Sequence, residues 1–432
     1  MLKISNKIFY DRHRKEIEKY LTSKKSLHIL NKNSKNKIVN QDTKKIYFNL
    51  DNSNELSKIN LTEKFDRILV TDIVENYGDV FGFLDKVTEL LADDGKLIIS
   101  SINSKYSIII KILELFRLKD FEKNKSYIHL KKFENITNGL NLEYQKYYTK
   151  QFIPFRLFFV GDLLNKIVEI LFFRFHLGIK TYMIFRPVNR EYKNLSKSII
   201  IPAKNEEGNL RELVSRIPNF DNTEIIFSYG QSKDKTLEVM EEISSSNNNF
   251  NFKTVIQSGK GKANAVWEAL EVIENEVIAI LDADISVEPE TLNDFFKIIE
   301  KNSADFVNGT RLVYEMEQKS MRFLNKIGNR FFQFLISKLI NEQLTDSLCG
   351  TKVFKKTYLD DLYRWQKYLK VKDPFGDFDL IFSAAHSGQK IVEMPVSYKE
   401  RRYGTTQISR FRDGYQLLVY LLFSFGIFNT SR

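Results

Sequence analysis

From Lys197 onward, short and strongly apolar runs alternate with stretches whose apolar residues recur at helical spacing. That alternation confines the chain to an α/β fold built on a largely parallel sheet. Ile199-Ile200-Ile201 ends at Pro202-Ala203-Lys204-Asn205-Glu206-Glu207, after which Leu210, Leu213, Val214 and Ile217 mark one face of a helix. Ile225-Ile226-Phe227 follows, then a turn from Ser228 to Asp234 and a helix starting near Thr236. Gly259-Lys260-Gly261-Lys262-Ala263-Asn264-Ala265 opens another helix. Its glycines permit close backbone approach and its N-terminus and lysines suit an anion, although the same residues also read as a simple loop.

The next apolar run, Val277-Ile278-Ala279-Ile280-Leu281, ends at Asp282-Ala283-Asp284. A strand buried on both faces reads as a near-continuous hydrophobic run, and ligands of open α/β sheets bind outside the carboxyl ends of such strands. Two carboxylates one residue apart at that edge suit a hard divalent cation. Mg²⁺ or Mn²⁺ takes oxygen ligands and keeps positions open for the phosphates of a nucleotide. An isolated Asp-x-Asp reads equally as a turn or a helix cap, so the pair takes its meaning from the strand before it and the turns around it.

A length of 432 residues predicts two domains. The single cysteine, Cys349, excludes an internal disulfide and a multi-cysteine zinc site, and implies a reducing compartment. The opening Met1-Leu2-Lys3-Ile4-Ser5 lacks the apolar core of a signal peptide, so a cytoplasmic protein is expected. Lys and Arg number 66 against 55 Asp and Glu, a net charge of +11. Such an excess suits nucleic acid, an anionic membrane or phosphorylated substrates, and equally a solvated lysine surface. The basic residues are dispersed and no recognition module is visible, so no nucleic-acid partner is expected. No run reaches the roughly eighteen apolar residues of a membrane span. Phe152 to Phe185 is rich in Phe, Leu and Ile but broken by Arg156, Asp162, Lys166, Glu169, Arg174 and Lys180, and is expected to form a core helix followed by a strand.

The first half has a different signature: no glycine precedes Gly78 and no proline precedes Pro154. Phe65 to Val70 reads as a buried strand, Val80 to Leu91 as an amphipathic helix with Gly95 as its stop, and Leu97 to Ser100 as the next strand. The segment from Phe65 to Asn103 resembles the later part of the Rossmann-like core of class I S-adenosylmethionine-dependent methyltransferases, with Gly178 to Pro187 as a closing strand. That family's first strand leads into a glycine-rich turn, whereas Ser26-Leu27-His28-Ile29-Leu30-Asn31-Lys32-Asn33 contains no glycine, and its side chains would crowd a cofactor. The expectation is a degenerate methyltransferase-like domain over residues 1–190, with Asp72 and Glu75 as ordinary loop residues rather than cofactor ligands. The polar stretch Asn189 to Lys197 makes a short link.

Read in order, the motifs from Lys197 to Gly414 resemble family 2 glycosyltransferases, whose GT-A fold is a nucleotide-binding α/β sheet. The resemblance implies a domain over residues 196–432. Ile200 to Glu207 matches the family's nucleotide-contacting turn, so Pro202, Ala203, Asn205 and Glu206 are implied donor contacts, together with Gly230, Gly259, Lys260, Gly261 and Asp282. Asp282 and Asp284 match its metal-binding pair, with Asp284 the main ligand of Mg²⁺ or Mn²⁺ and Asp282 a ribose or second metal contact. Asn308-Gly309-Thr310-Arg311 and Asp346-Ser347-Leu348-Cys349-Gly350-Thr351-Lys352 look like its later acceptor-side and phosphate-side segments. Where many relatives carry an acidic pair in the second turn, this chain has Tyr229-Gly230.

Tyr398 to Thr406, followed by Arg410, Arg412 and Gly414, is most similar to the polyprenyl-phosphate sugar transferases. The implied reaction is inverting transfer from a nucleotide-diphosphate sugar to a polyprenyl phosphate. Arg322, Lys352, Arg401, Arg402, Arg410 and Arg412 would hold the acceptor phosphate, and Arg311 would stabilise leaving-group charge; for Arg311 and Arg322 a surface salt bridge is the other reading. A lipid phosphate is already largely anionic near neutrality, so it needs cations more than a base. A sugar hydroxyl would need a base, for which Asp377 or Asp379 is the candidate, a helix cap being the alternative. Tyr415 to Phe428 is apolar apart from Gln416 and Ser424, too short to span a bilayer, and either lies at the inner face of the membrane as a peripheral contact or packs on its own domain. A non-catalytic binding or scaffold protein is the remaining alternative, against which the intact aspartate pair argues.

Overall fold

A computed structural model describes residues 2–21, 25–32, 43–48, 63–77, 79–110, 137, 139–153, 160–172, 175–188, 192–311, 323–340, 342, 344–369, 371, 373–399, 403 and 410–429. The chain divides into two compact units, Met1–Asn189 together with Asn429–Arg432, and Arg190–Phe428.

In the first unit α1 (Leu2–Glu18) precedes a six-stranded sheet made of β1 (Ser26–Asn31), β2 (Lys44–Phe48), β3 (Phe65–Thr71), β4 (Leu91–Ile102), β5 (Leu142–Lys150) and β6 (Lys180–Pro187). The spatial order is β2-β1-β3-β4-β6-β5, parallel from β2 to β4, with β6 antiparallel to both of its neighbours. One face buries Leu27, Ile29, Val70, Leu97 and Ile99 against Phe83, Leu84 and Val87 of α2 (Val80–Thr88). Successive strand residues point to opposite faces, so Leu69, Ile98 and Ile184 pack instead with Ile17, Tyr20 and Leu21, where the end of α1 lies.

That second face is unusually polar. His13 of α1 bonds the hydroxyl of Tyr182 (2.7 Å), His28 bonds Thr71 (2.9 Å), and Lys180 pairs with Asp72 (2.7 Å). Burial drives both histidines down to about 3, so they stay neutral and serve as hydrogen-bonding packing groups. Two expectations are corrected here. Gly95 lies within β4, α2 having ended at Thr88, and the β3–β4 register shifts between Phe65 and Arg67 to absorb the extra residues. The helix expected in the core between Phe152 and Phe185 exists as α3 (Val160–Leu171), but Leu163, Leu164 and Ile167 are exposed whereas Asn165 is buried.

The second unit runs β7 (Lys197–Ala203), α4 (Leu210–Arg216), β8 (Thr223–Tyr229), α5 (Thr236–Ser246), β9 (Asn251–Ile256), α6 (Lys262–Leu270), β10 (Val277–Ile280), α7 (Leu292–Glu300), β11 (Phe306–Thr310), α8 (Phe323–Ile340), β12 (Lys352–Lys355), α9 (Leu359–Tyr368), α10 (Asp377–His386), β13 (Ile391–Pro395) and α11 (Arg410–Asn429). The sheet order is β13-β11-β12-β10-β7-β8-β9. β10, β7, β8 and β9 are parallel, as are β11 and β13, and β12 runs antiparallel between β10 and β11. Ile199, Ile201 and Ala279 look into one core layer, and Ile200, Ile278 and Ile280 into the other. Both faces are therefore covered, as the continuous apolar runs require.

At the amino end of β7, Lys197 sits 3% exposed with its ammonium 2.7 Å from the equally buried Glu300 and between the rings of Phe220 and Phe296. Glu300→Ala is expected to cost about 3–5 kcal/mol, because it leaves that ammonium buried without its counter-charge. Denaturant unfolding of the purified variant measures it; a change no larger than that of an exposed ion pair would contradict the assignment.

Candidate active site

The carboxyl ends of β7, β8 and β10 point to one edge of the sheet. The first two turns there lock together through their own side chains. Gly230 donates its amide to the Ala203 carbonyl (2.9 Å), Asn205 donates to Ser232 Oγ (3.0 Å) while its Oδ1 accepts from Lys233 (2.7 Å), and Glu206 donates to Thr236 Oγ1 (2.9 Å). The Glu206 carboxylate is buried and accepts from Asn209 Nδ2 (2.6 Å). Asn205 and Glu206 thus brace the turns, and Pro202 and Ala203 end the strand that carries them. The Tyr403 ring lies against Gly208, where any Cβ would collide with it, and its hydroxyl donates to Glu207 (3.2 Å). The second turn's Tyr229 accepts the Ser232 amide on its hydroxyl (3.1 Å).

The third turn brings a cation to the aspartates. Gly261 takes φ +92°, a region that side chains avoid, and so caps α6 with Lys262 as the first helical residue. Lys262 forms an ion pair with Asp282, while Lys260 next door is exposed. Burial raises the Asp282 carboxyl, but Lys262, with Lys352 and Arg311 farther off, brings it below the usual range. Burial lowers the Lys262 ammonium, but Asp282, Asp377 and Asp284 hold it above that of an ordinary lysine. The Asp282 side chain remains 31% exposed. Gly350 rests directly on this pair: a Cβ there would collide with the Asp282 carboxylate and the Lys262 ammonium.

Asp284 is more enclosed, with Oδ1 accepting the Ser286 amide (3.0 Å). Between them Ile285 adopts φ +53°, which costs a β-branched residue on the order of 1–3 kcal/mol. The chain beyond is tied down by a bridge from Val287 to Tyr398, by the Lys399 amide bonded to Ser286 O (2.9 Å) and by the Lys399 ammonium on Glu288 (2.5 Å).

β11, antiparallel β12 with the loop before it, and β13 deliver the remaining groups. Arg311 grips Asp346 with Nε (2.7 Å), Nη2 (3.0 Å) and its amide (3.1 Å), above the ring of Tyr398. Lys352 is fully buried, donating to Asp377 Oδ1 (2.5 Å) and to the Cys349 carbonyl. Asn308 donates to the Asp346 carbonyl (2.7 Å), and Glu393 receives the amides of Thr345 and Asp346 (2.7 and 3.1 Å). Among the described residues, Asp282, Asp284, Asp346 and Asp377 are gathered here with Lys262, Arg311 and Lys352.

Several implied site residues fall elsewhere. Asp379 turns into the core, where its carboxylate accepts from Tyr420 of α11. Gly376 is the N-cap residue of α10, and the carboxylate of Asp373 before it receives the amides of Phe375 (3.0 Å), Phe378 (2.7 Å) and Asp379 (3.1 Å). Lys352 holds Asp377 from beneath instead of meeting an acceptor at the surface. Arg412 is exposed on the first turn of α11, which Arg410 opens, whereas Arg322, Arg401 and Arg402 lie outside the described residues. Lys262, Gly350 and Asp373 were not singled out individually by the sequence. Only the lysine carried a signal, as the first residue after the glycine that caps α6.

Burial, with Asp379 and Asp377 close by, pushes Asp373 up to about 7, and burial pushes Asp379 up to about 6. A carboxyl whose folded pKa exceeds its unfolded value binds more protons when folded, so its stabilising contribution is lost as pH rises from about 4 to about 7. The melting temperature is expected to fall over that range through these two groups, and less steeply in Asp379→Asn. An identical slope in wild type and variant would remove Asp379 from the titration.

Residues 198–363 match the family described as glycosyl transferase family 2. The chain is similar to the glycosyltransferase AglJ of Haloferax volcanii, 27% identical over 222 residues, 50% of this chain and 67% of that protein. It is similar to the dolichol-phosphate mannosyltransferase of Pyrococcus furiosus, 26% identical over 221 residues, 49% of this chain and 58% of that one. It also resembles the UDP-N-acetylglucosamine–dolichyl-phosphate N-acetylglucosaminyltransferase of Methanococcus voltae, 27% identical over 239 residues, 51% of this chain and 94% of the relative. The match therefore spans from little more than half to nearly all of these relatives' own lengths.

Proposed function

We propose that the family 2 glycosyltransferase domain carried by residues 198–363 moves a hexosyl group from a nucleotide-diphosphate sugar to a polyprenyl phosphate, with inversion at the anomeric carbon and with Mg²⁺ or Mn²⁺ bound. The observation that carries this reading is the juxtaposition of Asp282, still 31% exposed, with Asp284 and Lys262 at the carboxyl end of β10. The seven-stranded sheet with its single antiparallel insertion supports a GT-A type of fold. Among the described residues no cluster of three or more His, Cys, Asp or Glu could hold a metal by itself. The fit is instead that of a magnesium-type site, one or two carboxylates completed by substrate phosphates and water.

Asp282 and Asp284 would hold the cation, which when bound supplies Lewis-acid stabilisation of the departing diphosphate. Lys262 adds a fixed positive charge at a helix N-terminus, where phosphate oxygens are favoured. The bond broken joins the anomeric carbon to the diphosphate, and the bond formed joins that carbon to an acceptor phosphate oxygen. An anionic phosphate has no proton to surrender, so Asp377 can remain engaged with Lys352. Approach of that anion to the diphosphate must overcome repulsion of roughly 4 kcal/mol per pair of unit charges at 4 Å and effective dielectric 20. The basic segment from Lys399 to Arg412 is placed in sequence to offset it. The relatives named for dolichyl phosphate support a polyprenyl phosphate acceptor.

Peripheral attachment to the inner face of the membrane belongs to the same proposal. Among the described residues no helix is long and apolar enough to cross a bilayer. α11 buries Leu417, Tyr420 and Leu421 and leaves Tyr415, Leu422 and Phe423 exposed, which suits a helix lying in the interface. For the first unit, the parallel order with β6 as a closing strand supports a methyltransferase-like core, and the glycine-free β1 supports loss of cofactor binding. Saturable S-adenosylmethionine binding by the full chain would overturn that part.

Asp284→Ala is expected to abolish both transfer and donor hydrolysis, and to remove the rise in melting temperature that Mn²⁺ with a matching UDP- or GDP-sugar gives the wild type. Turnover surviving in Asp284→Ala would reject the metal site. A hydroxyl acceptor is the second reading, favoured by the position of Asp377 beside Lys352 and Lys262. In that case Asp377→Asn abolishes turnover while Arg401→Ala with Arg402→Ala costs little. In the phosphate case the arginine double variant raises KM for the lipid about tenfold or more.

A further inference from the structure

We propose that the first unit carries its own docking surface for an anionic lipid bilayer, centred on α3. This extends the membrane reading above to a separate surface and does not depend on the transfer chemistry. Asn165 is buried and its amide clamps the backbone of Ile153 in both directions (2.7 and 2.9 Å). Glu169 pairs with Lys150 (3.0 Å) and accepts the Gln151 amide (3.1 Å), and Asp162 pairs with Arg12 of α1.

A globular helix is normally held by its apolar stripe; here Asn165, Glu169 and Asp162 make the hydrogen bonds and ion pairs to the rest of the unit, while Leu163, Leu164 and Ile167 face water. Leu163 is 59% exposed, Ile167 37% and, just beyond the helix, Phe175 61%, with Leu164 and Phe172 exposed beside them. The turn at 104–106 joins this surface through Lys105, which donates to the Phe175 carbonyl (2.5 Å), and Tyr106, which donates to that of Leu177; the exposed Ile108 and Ile109 follow it. Surface apolar residues are unremarkable singly, but several gathered on one helix and just beyond it, where the rings of Phe172 and Phe175 meet, mark an interaction site.

Charge selects the partner. Both acids of α3, Asp162 and Glu169, are neutralised by cations of the same unit, while Lys166 is exposed between Leu163 and Ile167. Lys105 adds a second cation beside Phe175. Aliphatic and aromatic side chains with lysines among them and acids withdrawn are what an interfacial helix presents to anionic headgroups.

The test uses the full chain in flotation with vesicles of phosphatidylcholine alone and of phosphatidylcholine with phosphatidylglycerol. Wild type is expected to float with the anionic vesicles and much less with the neutral ones. Leu164→Gln combined with Ile167→Gln and Phe175→Ser is expected to weaken binding about tenfold or more without changing the melting temperature. Lys105→Glu with Lys166→Glu is expected to abolish the preference for anionic lipid. Equal flotation of the triple variant and wild type would overturn the proposal, even if α11 truncation releases the protein. Failure of wild type to float, or loss of a dimer on size exclusion in the triple variant, would also overturn it. Transfer assayed with detergent-dispersed acceptor is expected to be unchanged in both variants, so that a failed catalytic reading shows up separately.

Discussion

The antiparallel placement of β12 between β10 and β11 is the constraint on which the candidate site depends. Parallel strands alone would align their carboxyl ends and supply only the turns that follow them. A strand entering the sheet from that same edge brings its preceding loop, Asp346 to Thr351, against the end of β10. Gly350 then reaches Asp282 and Lys262, Asp346 reaches Arg311, and Lys352 passes inward to Asp377. Segments distant in sequence meet because β12 pairs with β10 on one side and with β11 on the other.

Charge is organised in two depths around that point. Asp282 and Lys262 are accessible enough to exchange partners with a ligand, whereas Asp346 and Lys352 are buried and committed to Arg311 and Asp377. Buried ion pairs with complete hydrogen bonding are poor sources of stability but resist rearrangement. They fix the loop geometry under an outer pair that is freer to respond. The Arg311 guanidinium, read from sequence as a direct stabiliser of leaving-group charge, is bonded to Asp346 of that loop.

Much of this architecture was legible in the sequence because its signals are local. Apolar runs such as Val277 to Leu281 declare a strand covered on both faces, and the residue after such a run must lie at an edge. Partners distant in sequence were not legible. Nothing near Asp379 announces Tyr420, forty-one residues on, so one aspartate of an apparent acidic pair is spent in the core while the other stays near the site. The helix at 160–171 misled for a related reason. Its apolar content was plain, but the direction of the stripe was decided by Arg12, Lys150 and Ile153, whose approach no periodicity records. Gly95 was misread as a helix stop because a glycine inside an irregular strand pairing has the same local signature.

Ile285 has a consequence beyond local geometry. Its left-handed backbone, wedged between the carboxylate of Asp284 and the amide that carboxylate binds, is a spring held compressed by the rest of the fold. Residues in such conformations persist only where surroundings overrule them. A lineage or an engineer selecting for heat resistance would find relief by placing glycine or asparagine there, and the durable protein so obtained would hold its aspartates less firmly.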